Sequence, residues 1–343
     1  MPKNSATIYE VARHAGVSIA TVSRVQSDTG PVAAGTRARV VRSIEALDYR
    51  PSPNARSLAA NRHDASGIVF PDLSGPYYSE VIYGFEREAV ETRQSVMILA
   101  THGREGAGDL VQDLAARVDG IVIMGRTVPD ELVADLCRSK VPVVLLARPA
   151  VDGADTVLAE NHDAAVELVQ HLFGHGRDDL LFVGDPGASP DAAERWSGFL
   201  DAHRLADRPR PAAPVVSDFT ESGGYVAVRG ALAAGRDSGR LPSGLVCAND
   251  EIALGALRAA RDLGLRVPAQ IAVTGWDDIP VAGLVSPPLT TVRQPMRELG
   301  STAATLLNER VSADRREPRH VLLPTSLVIR ASCGCQASGG QIP

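Results

Sequence analysis

Long apolar runs are missing from this 343-residue sequence, and none approaches the roughly 20 residues that a membrane-crossing helix needs. The N-terminus lacks the charged-then-apolar pattern of an export signal, because polar residues lead straight into a helical pattern. The expectation is a cytoplasmic protein. Cysteine is scarce, and of the four, Cys137 and Cys247 sit in apolar contexts and read as small core residues. Cys333 and Cys335 form a C-x-C, but no second cysteine pair is there to complete a tetrahedral zinc site. His171 and His175 have the i, i+4 spacing that chelates a metal from one helix face, yet no third ligand is near them in sequence. They read as a surface pair, and neither a metal nor a cofactor is expected. Lysine is nearly absent: among 35 basic residues only Lys3 and Lys140 are lysine, a compositional bias rather than a functional choice. No G-x-G-x-x-G follows a strand, and P-loop, G-x-S-x-G and H-E-x-x-H motifs are all missing. No catalytic residue is assigned, and the chain reads as a binding protein, not an enzyme.

The net charge of −6 argues by itself against nucleic acid, but its distribution does not. Residues 1–65 carry a net +4, which leaves −10 on the rest. A basic end on an acidic body is the asymmetry expected when one end meets phosphates.

That basic end contains the most informative stretch, Thr7–Arg24. Ile8, Val11, Ala12 and Ala15 follow the i, i+3, i+4, i+7 rhythm of one helix face. Thr7 and Glu10 have capping-box spacing, Gly16 suits the left-handed residue that ends a helix, and Ser18 can cap the next. Val22 and Val25 give that second helix a buried side. Two helices joined by such a turn form a helix-turn-helix, whose second helix fits the DNA major groove; the competing reading is a helical hairpin in a larger core. A third helix is predicted from about Ala34 to Leu47, with Thr36, Val40, Ile44 and Leu47 on one face. Pro51 and Pro53 then extend the chain. The short helical segment Ala55–Arg62 needs a partner to be stable, or else is an ordinary linker.

Taken together, these pieces resemble the head of the lactose/galactose-repressor (LacI/GalR) family of bacterial transcription regulators. The matching motifs are V-A-x-x-A-G-V-S at Val11–Ser18, T-V-S-R at Thr21–Arg24, T-R-x-x-V at Thr36–Val40, Tyr49-x-Pro51 and Ala55-Arg56-Ser57-Leu58. The resemblance implies that Ile19, Ala20 and Arg24 face base edges, with Arg24 the one side chain able to make a bidentate contact. It makes Thr7, Ser18, Thr21, Ser23 and Thr36 candidate phosphate contacts, adds Arg56 to the DNA-binding set, and matches Leu58 to a leucine that wedges into the minor groove. Gln26-Ser27, where the family commonly carries Leu-Asn, and Pro31 depart from the pattern.

From Ser66 the texture changes to alternating strands and helices. Gly67–Phe70, Val96–Ala100, Gly120–Met124, Pro142–Leu146, Leu180–Gly184, Ala213–Val216, Gly244–Ala248 and Ile271–Gly275 read as short buried strands. Amphipathic helices between them require parallel sheets covered on both faces. The predicted fold is therefore an all-α helix-turn-helix head on an α/β two-lobed body, which the resemblance identifies as periplasmic-binding-protein-like. Domain bounds are read as 1–50 for the head, 51–65 for a hinge and 66–343 for the body. Lobe 1 is placed at about 66–161 and 293–324, and lobe 2 at about 162–292 and 325–335.

Such sheets bind ligands beyond the carboxyl ends of their strands, here between the lobes. Loop residues there include Asp72, Tyr77, Tyr78, Arg148, Arg195, Phe219, Asn249, Asp250 and Asp277, with Glu160 at a crossing. Each has a structural alternative: Arg195 pairing with Asp191, Phe219 as loop packing, Asn249 as a helix cap, Asp277 in a turn. The resemblance implies that Arg195, Asn249 and Asp277 contact an effector on which Phe219 stacks. Carboxylates, amides and guanidinium groups suit sugar hydroxyls, and the same set also suits a purine. The expected function is a repressor, switched by a small molecule, binding a pseudo-palindromic operator as a homodimer. The rival is a sugar-binding protein with no DNA role. Only Ala331–Pro343 follow the last predicted strand, too short and Gly-rich for a tetramerising heptad helix.

Overall fold

The computed structural model describes residues 6–28, 30–49, 62–312, 315 and 317–335. It divides into two units, one ending at Asp64 and the other starting at Ala65.

The first unit holds α1 (Ile8–Ala15), α2 (Ile19–Ser27) and α3 (Ala34–Ala46). Local chemistry fixes where the first two begin and end. The Thr7 hydroxyl accepts from the Glu10 amide while the Glu10 carboxylate accepts from the Thr7 amide at 2.7 Å, closing the capping box. Gly16, at φ 64°, turns the chain through the left-handed region, and Ser18 caps α2 by accepting from the Thr21 amide at 3.2 Å. Val11, Ala12, Ala15, Val22, Val25, Val40 and Tyr49 form the small shared core.

The second unit opens with a six-stranded parallel sheet. Its strands are β1 (Ala65–Phe70), β2 (Ser95–Ala100), β3 (Gly120–Met124), β4 (Val143–Leu146), β5 (Asp155–Ala159) and β10 (His320–Leu323), in the order β10-β5-β4-β3-β1-β2. Around it lie α4 (Pro76–Glu91), α5 (Ala107–Ala115), α6 (Asp130–Arg138) and α11 (Met296–Ser312). Helices α4 and α11 cross at backbone contact. A Cβ on Gly84 would sit 1.9 Å from the Arg297 carbonyl oxygen, and one on Gly300 would sit 2.0 Å from that of Val81.

The other lobe is a three-stranded parallel sheet, β6 (Leu180–Val183), β7 (Gly244–Cys247) and β8 (Ala272–Thr274). Helices α7 (His162–Gly174), α8 (Pro190–Leu205), α9 (Glu221–Asp237) and α10 (Asp250–Asp262) share its core. Residues 213–216 do not form the predicted strand. Only Val215 bridges to Val183, because Pro214 lacks the amide a ladder needs. The pair β9 (Thr291–Arg293) and β11 (Ser326–Val328) is antiparallel, a departure from an all-parallel body. The chain leaves the six-stranded sheet after β5 to enter α7, returns from β9 into α11, and leaves again between β10 and β11.

Candidate functional site

Two groups of side chains emerge, one in each unit. In the first, Val22 and Val25 are buried, so Ile19, Ala20 and Arg24 lie on the exposed side of α2. Ser18 and Thr7 are exposed as well, and both hydroxyls already serve as caps. Ser18 Oγ and Thr21 Oγ1 lie 2.9 Å apart. Thr21, Ser23 and Thr36 are half-buried. Arg37 pairs with Asp28 at 2.8 Å, fixing the end of α2 against α3. Arg56 and Leu58 lie outside the described residues.

The second group surrounds Arg195 on α8, buried at the carboxyl ends of the β6–β8 strands. Its Nε donates to Asn161 Oδ1 at 2.8 Å and its Nη1 to the Ala248 carbonyl at 2.7 Å. Nη2 faces Asp191 at 3.9 Å, and the guanidinium lies over the Trp276 ring, 4.6 Å from its centroid. Asn161 is itself held by donating to the Ala159 carbonyl at 3.0 Å. Asp277 follows β8 at φ 113°, a sparsely populated conformation, and its carboxylate accepts from Gln294 Nε2 at 2.6 Å. Asn161 and Gln294 carry no sequence signal beyond a position at a chain crossing.

Tyr77 and Tyr78, in the first turn of α4, interact electrostatically with this set. Burial raises the Tyr77 phenol well above its ordinary range, with Asp191 and Asp277 adding to the effect. Burial likewise pushes Tyr78 up to about 12, and Asp277 up to about 7 against the opposing pull of Arg195. Asp191 is also raised by burial. Among the described residues, the Tyr77 hydroxyl, Trp276 Nε1 and Gln294 Oε1 are buried without a hydrogen-bond partner. Buried polar atoms are nearly always satisfied, so such a cluster marks a place where a ligand or water belongs.

Other predicted residues have structural employment. Arg148 is buried in an ion pair with Asp130 and donates to the Val128 carbonyl at 3.3 Å. This 18-residue link takes it out of the cleft set. Asp72 accepts from the Leu73 and Ser74 amides at 2.6 and 3.0 Å, a turn that holds its carboxyl below the usual range. Asn249 caps α10 by accepting from the Ile252 amide at 2.9 Å, and donates to the Phe219 carbonyl at 2.9 Å. Half-buried Phe219 packs on the lobe core. Asp250 is fully buried, accepting from the Ile279 amide and the Thr291 hydroxyl, and works as a latch. Glu160 accepts from the Asp163 and Ala164 amides at the start of α7.

A capped helix-turn-helix unit followed by two parallel-sheet lobes defines a DNA-binding regulator with a ligand-binding body. Residues 7–52 match the family model for bacterial regulatory proteins, lacI family, and residues 169–333 match that for a periplasmic binding protein-like domain. Catabolite control protein A of Priestia megaterium is 33% identical over 331 residues, covering 95% of this chain and 98% of the relative. The HTH-type transcriptional repressor PurR of Photorhabdus laumondii subsp. laumondii is 33% identical over 333 residues, covering 95% and 96%. The lac repressor dimer bound to operator and the anti-inducer ONPF superposes with a TM-score of 0.81 at 28% identity, over 96% of this chain and 99% of that one. The transcriptional regulator CelR in complex with cellobiose gives 0.70 at 28%, over 95% and 99%. The chain belongs to the lacI family of bacterial regulatory proteins: it is a DNA-binding transcriptional repressor and not an enzyme. Among the described residues no helix is long and apolar enough to cross a membrane.

Proposed function

We propose that this repressor is switched by a polyhydroxylated small molecule, a sugar, held in the body by Arg195, Asp191, Asp277, Tyr77 and Tyr78. The observation that carries the reading is the cluster of unsatisfied polar atoms on Tyr77, Trp276 and Gln294 around a guanidinium, the buried Asp277 carboxylate and the half-buried Asp191. Adjacent hydroxyls satisfy such a set because each both donates and accepts. Trp276, beneath Arg195, supplies the apolar wall. The CelR structure contains cellobiose, and a sugar is the ligand class that agrees with it. A purine is the second reading, since the Gln294 amide, with its oxygen unpartnered, can meet the edge of a base.

The DNA-binding side of the proposal gives Ile19, Ala20 and Arg24 to base edges. Thr7, Ser18, Thr21, Ser23 and Thr36 go to phosphates, Arg56 joins the DNA-binding set, and Leu58 goes to the minor groove. Two copies on a pseudo-palindromic operator gain affinity because the second head binds effectively intramolecularly. Ligand binding shifts operator affinity by its differential affinity for two arrangements of the body, about 1–3 kcal/mol. A thermal-shift screen across sugars and purines tests the ligand class, since a ligand of the folded body raises its melting temperature. A response confined to purines would replace the sugar reading, and no response to either class would remove both.

A further inference from the structure

The fold completes two half-motifs that are separated by more than 150 residues. His171 lies on α7 and His175 is its C-cap, one turn further on the same face. The chain after β11 brings Cys333 and Cys335 against them. Cys333 Sγ is 3.3 Å from His171 Nε2, and Cys335 Sγ is 3.0 Å from His175 Nε2 and 3.6 Å from His171 Nε2. All four ligand atoms lie within 4.8 Å of one another. We propose that His171, His175, Cys333 and Cys335 bind one zinc ion as a closed tetrahedral site that fastens the C-terminal segment to the second lobe.

The chemistry is that of a structural Cys2His2 centre. Tetrahedral zinc, with bonds of about 2.3 Å to sulfur and about 2.0 Å to nitrogen, spaces its ligand atoms about 3.3–3.8 Å apart. The observed separations need only small rotations to reach that range. Both histidines present Nε2, so each keeps its proton on Nδ1 and stays neutral. Each cysteine releases its proton on binding, and two thiolates then balance the dication. The Thr290 hydroxyl donates to Cys333 Sγ at 3.2 Å, the kind of outer partner that orients a metal ligand. Gly334, at φ 114°, makes the turn that brings both sulfurs to one side.

The surrounding contacts make this a fastening point. The Ser332 hydroxyl donates to the Val273 carbonyl at 2.5 Å and accepts from the Thr290 amide at 2.8 Å. Arg330 Nη2 reaches Asp278 at 2.6 Å, next to Asp277. A closed site with four protein ligands leaves no position for substrate, so its role is structural, not catalytic.

The test uses the full chain purified without a polyhistidine tag. Metal analysis after gel filtration should find one zinc per chain, and cobalt substitution should show tetrahedral d–d bands with a thiolate-to-metal charge-transfer band. Cys335→Ser and His175→Gln, both outside the buried core, should each lower zinc affinity by more than about 100-fold, beyond the cost of losing an outer partner. Their circular dichroism should stay native-like, and chelation should lower the melting temperature of the wild type but not of the variants. Substoichiometric zinc under saturating metal, or a cobalt spectrum without the thiolate band, would overturn the site. So would a Cys333–Cys335 disulfide, seen as missing thiols in the unfolded, unreduced chain, or variants that bind zinc as tightly as the wild type.

Discussion

The guanidinium of Arg195 lies over the ring of Trp276 at 4.6 Å, with two of its nitrogens already committed to Asn161 and Ala248. A side chain held by its own neighbours presents its remaining donor without a further ordering cost, which is how preorganised sites gain affinity. Arg195→Lys keeps the charge but loses the planar fork. It is expected to weaken effector binding by about 2–3 kcal/mol while leaving effector-free operator affinity unchanged. Quenching of Trp276 fluorescence in a Trp196→Phe background measures the first, and operator anisotropy the second.

Asp277 sets a pH dependence of stability. Its carboxyl titrates at about 7 in the folded protein against 3.8 ordinarily, because burial disfavours the charged form. The folded state therefore holds a proton that the unfolded chain has lost. The contribution of Asp277 is fully favourable below about pH 4 and is lost as pH rises through about 7. Asp277→Asn keeps an acceptor for Gln294 and removes the ionisation. Near pH 8 it should melt about 3–6 °C above the wild type, and the two should converge in acid. Parallel melting curves across that range would show that Asp277 is not the group responsible.

Gly84 and Gly300 test the crossing of α4 and α11. A methyl group at either would overlap a carbonyl oxygen of the opposite helix, at 1.9 or 2.0 Å. Gly300→Ala should cost about 3 kcal/mol, read as a lower urea midpoint with an unchanged slope. A midpoint equal to that of the wild type would mean that the helices do not approach so closely.

Arg24 is the exposed side chain of α2 able to make two parallel hydrogen bonds to a guanine edge. Arg24→Ala should weaken operator binding by about 1–3 kcal/mol and relax selectivity at one position in each half-site. Selection from randomised duplexes with both proteins reads this directly, and identical preferred sequences would remove the assignment.

Much of this architecture was legible in the sequence wherever the governing chemistry is local. Thr7 with Glu10, Gly16 and Ser18 act within a few residues, so the ends of α1 and the start of α2 could be read. The apolar runs of β1, β3 and β4 were equally plain, because a strand buried on both faces has few polar choices, whereas β5 and the edge strand β10, with His320, went unread. Residues 213–216 misled because their apolar character suits a strand while Pro214 denies the ladder an amide. Arg148 misled differently, since its pairing with Asp130 depends on two neighbouring strand ends. His171 and Cys333 lie 3.3 Å apart across 162 positions of sequence, a proximity that only the assembled lobe creates. Nor can a sequence show that Tyr77, Trp276 and Gln294 are left with unsatisfied atoms.

The most direct test is an anisotropy titration of a duplex selected by this repressor, with and without the sugar that most raises its melting temperature. Ligand should shift the operator midpoint by about 5–150-fold in the wild type, and Arg195→Lys should need about 30–150 times more ligand for the same shift. Identical operator affinity with and without every ligand that binds the body would contradict the switch.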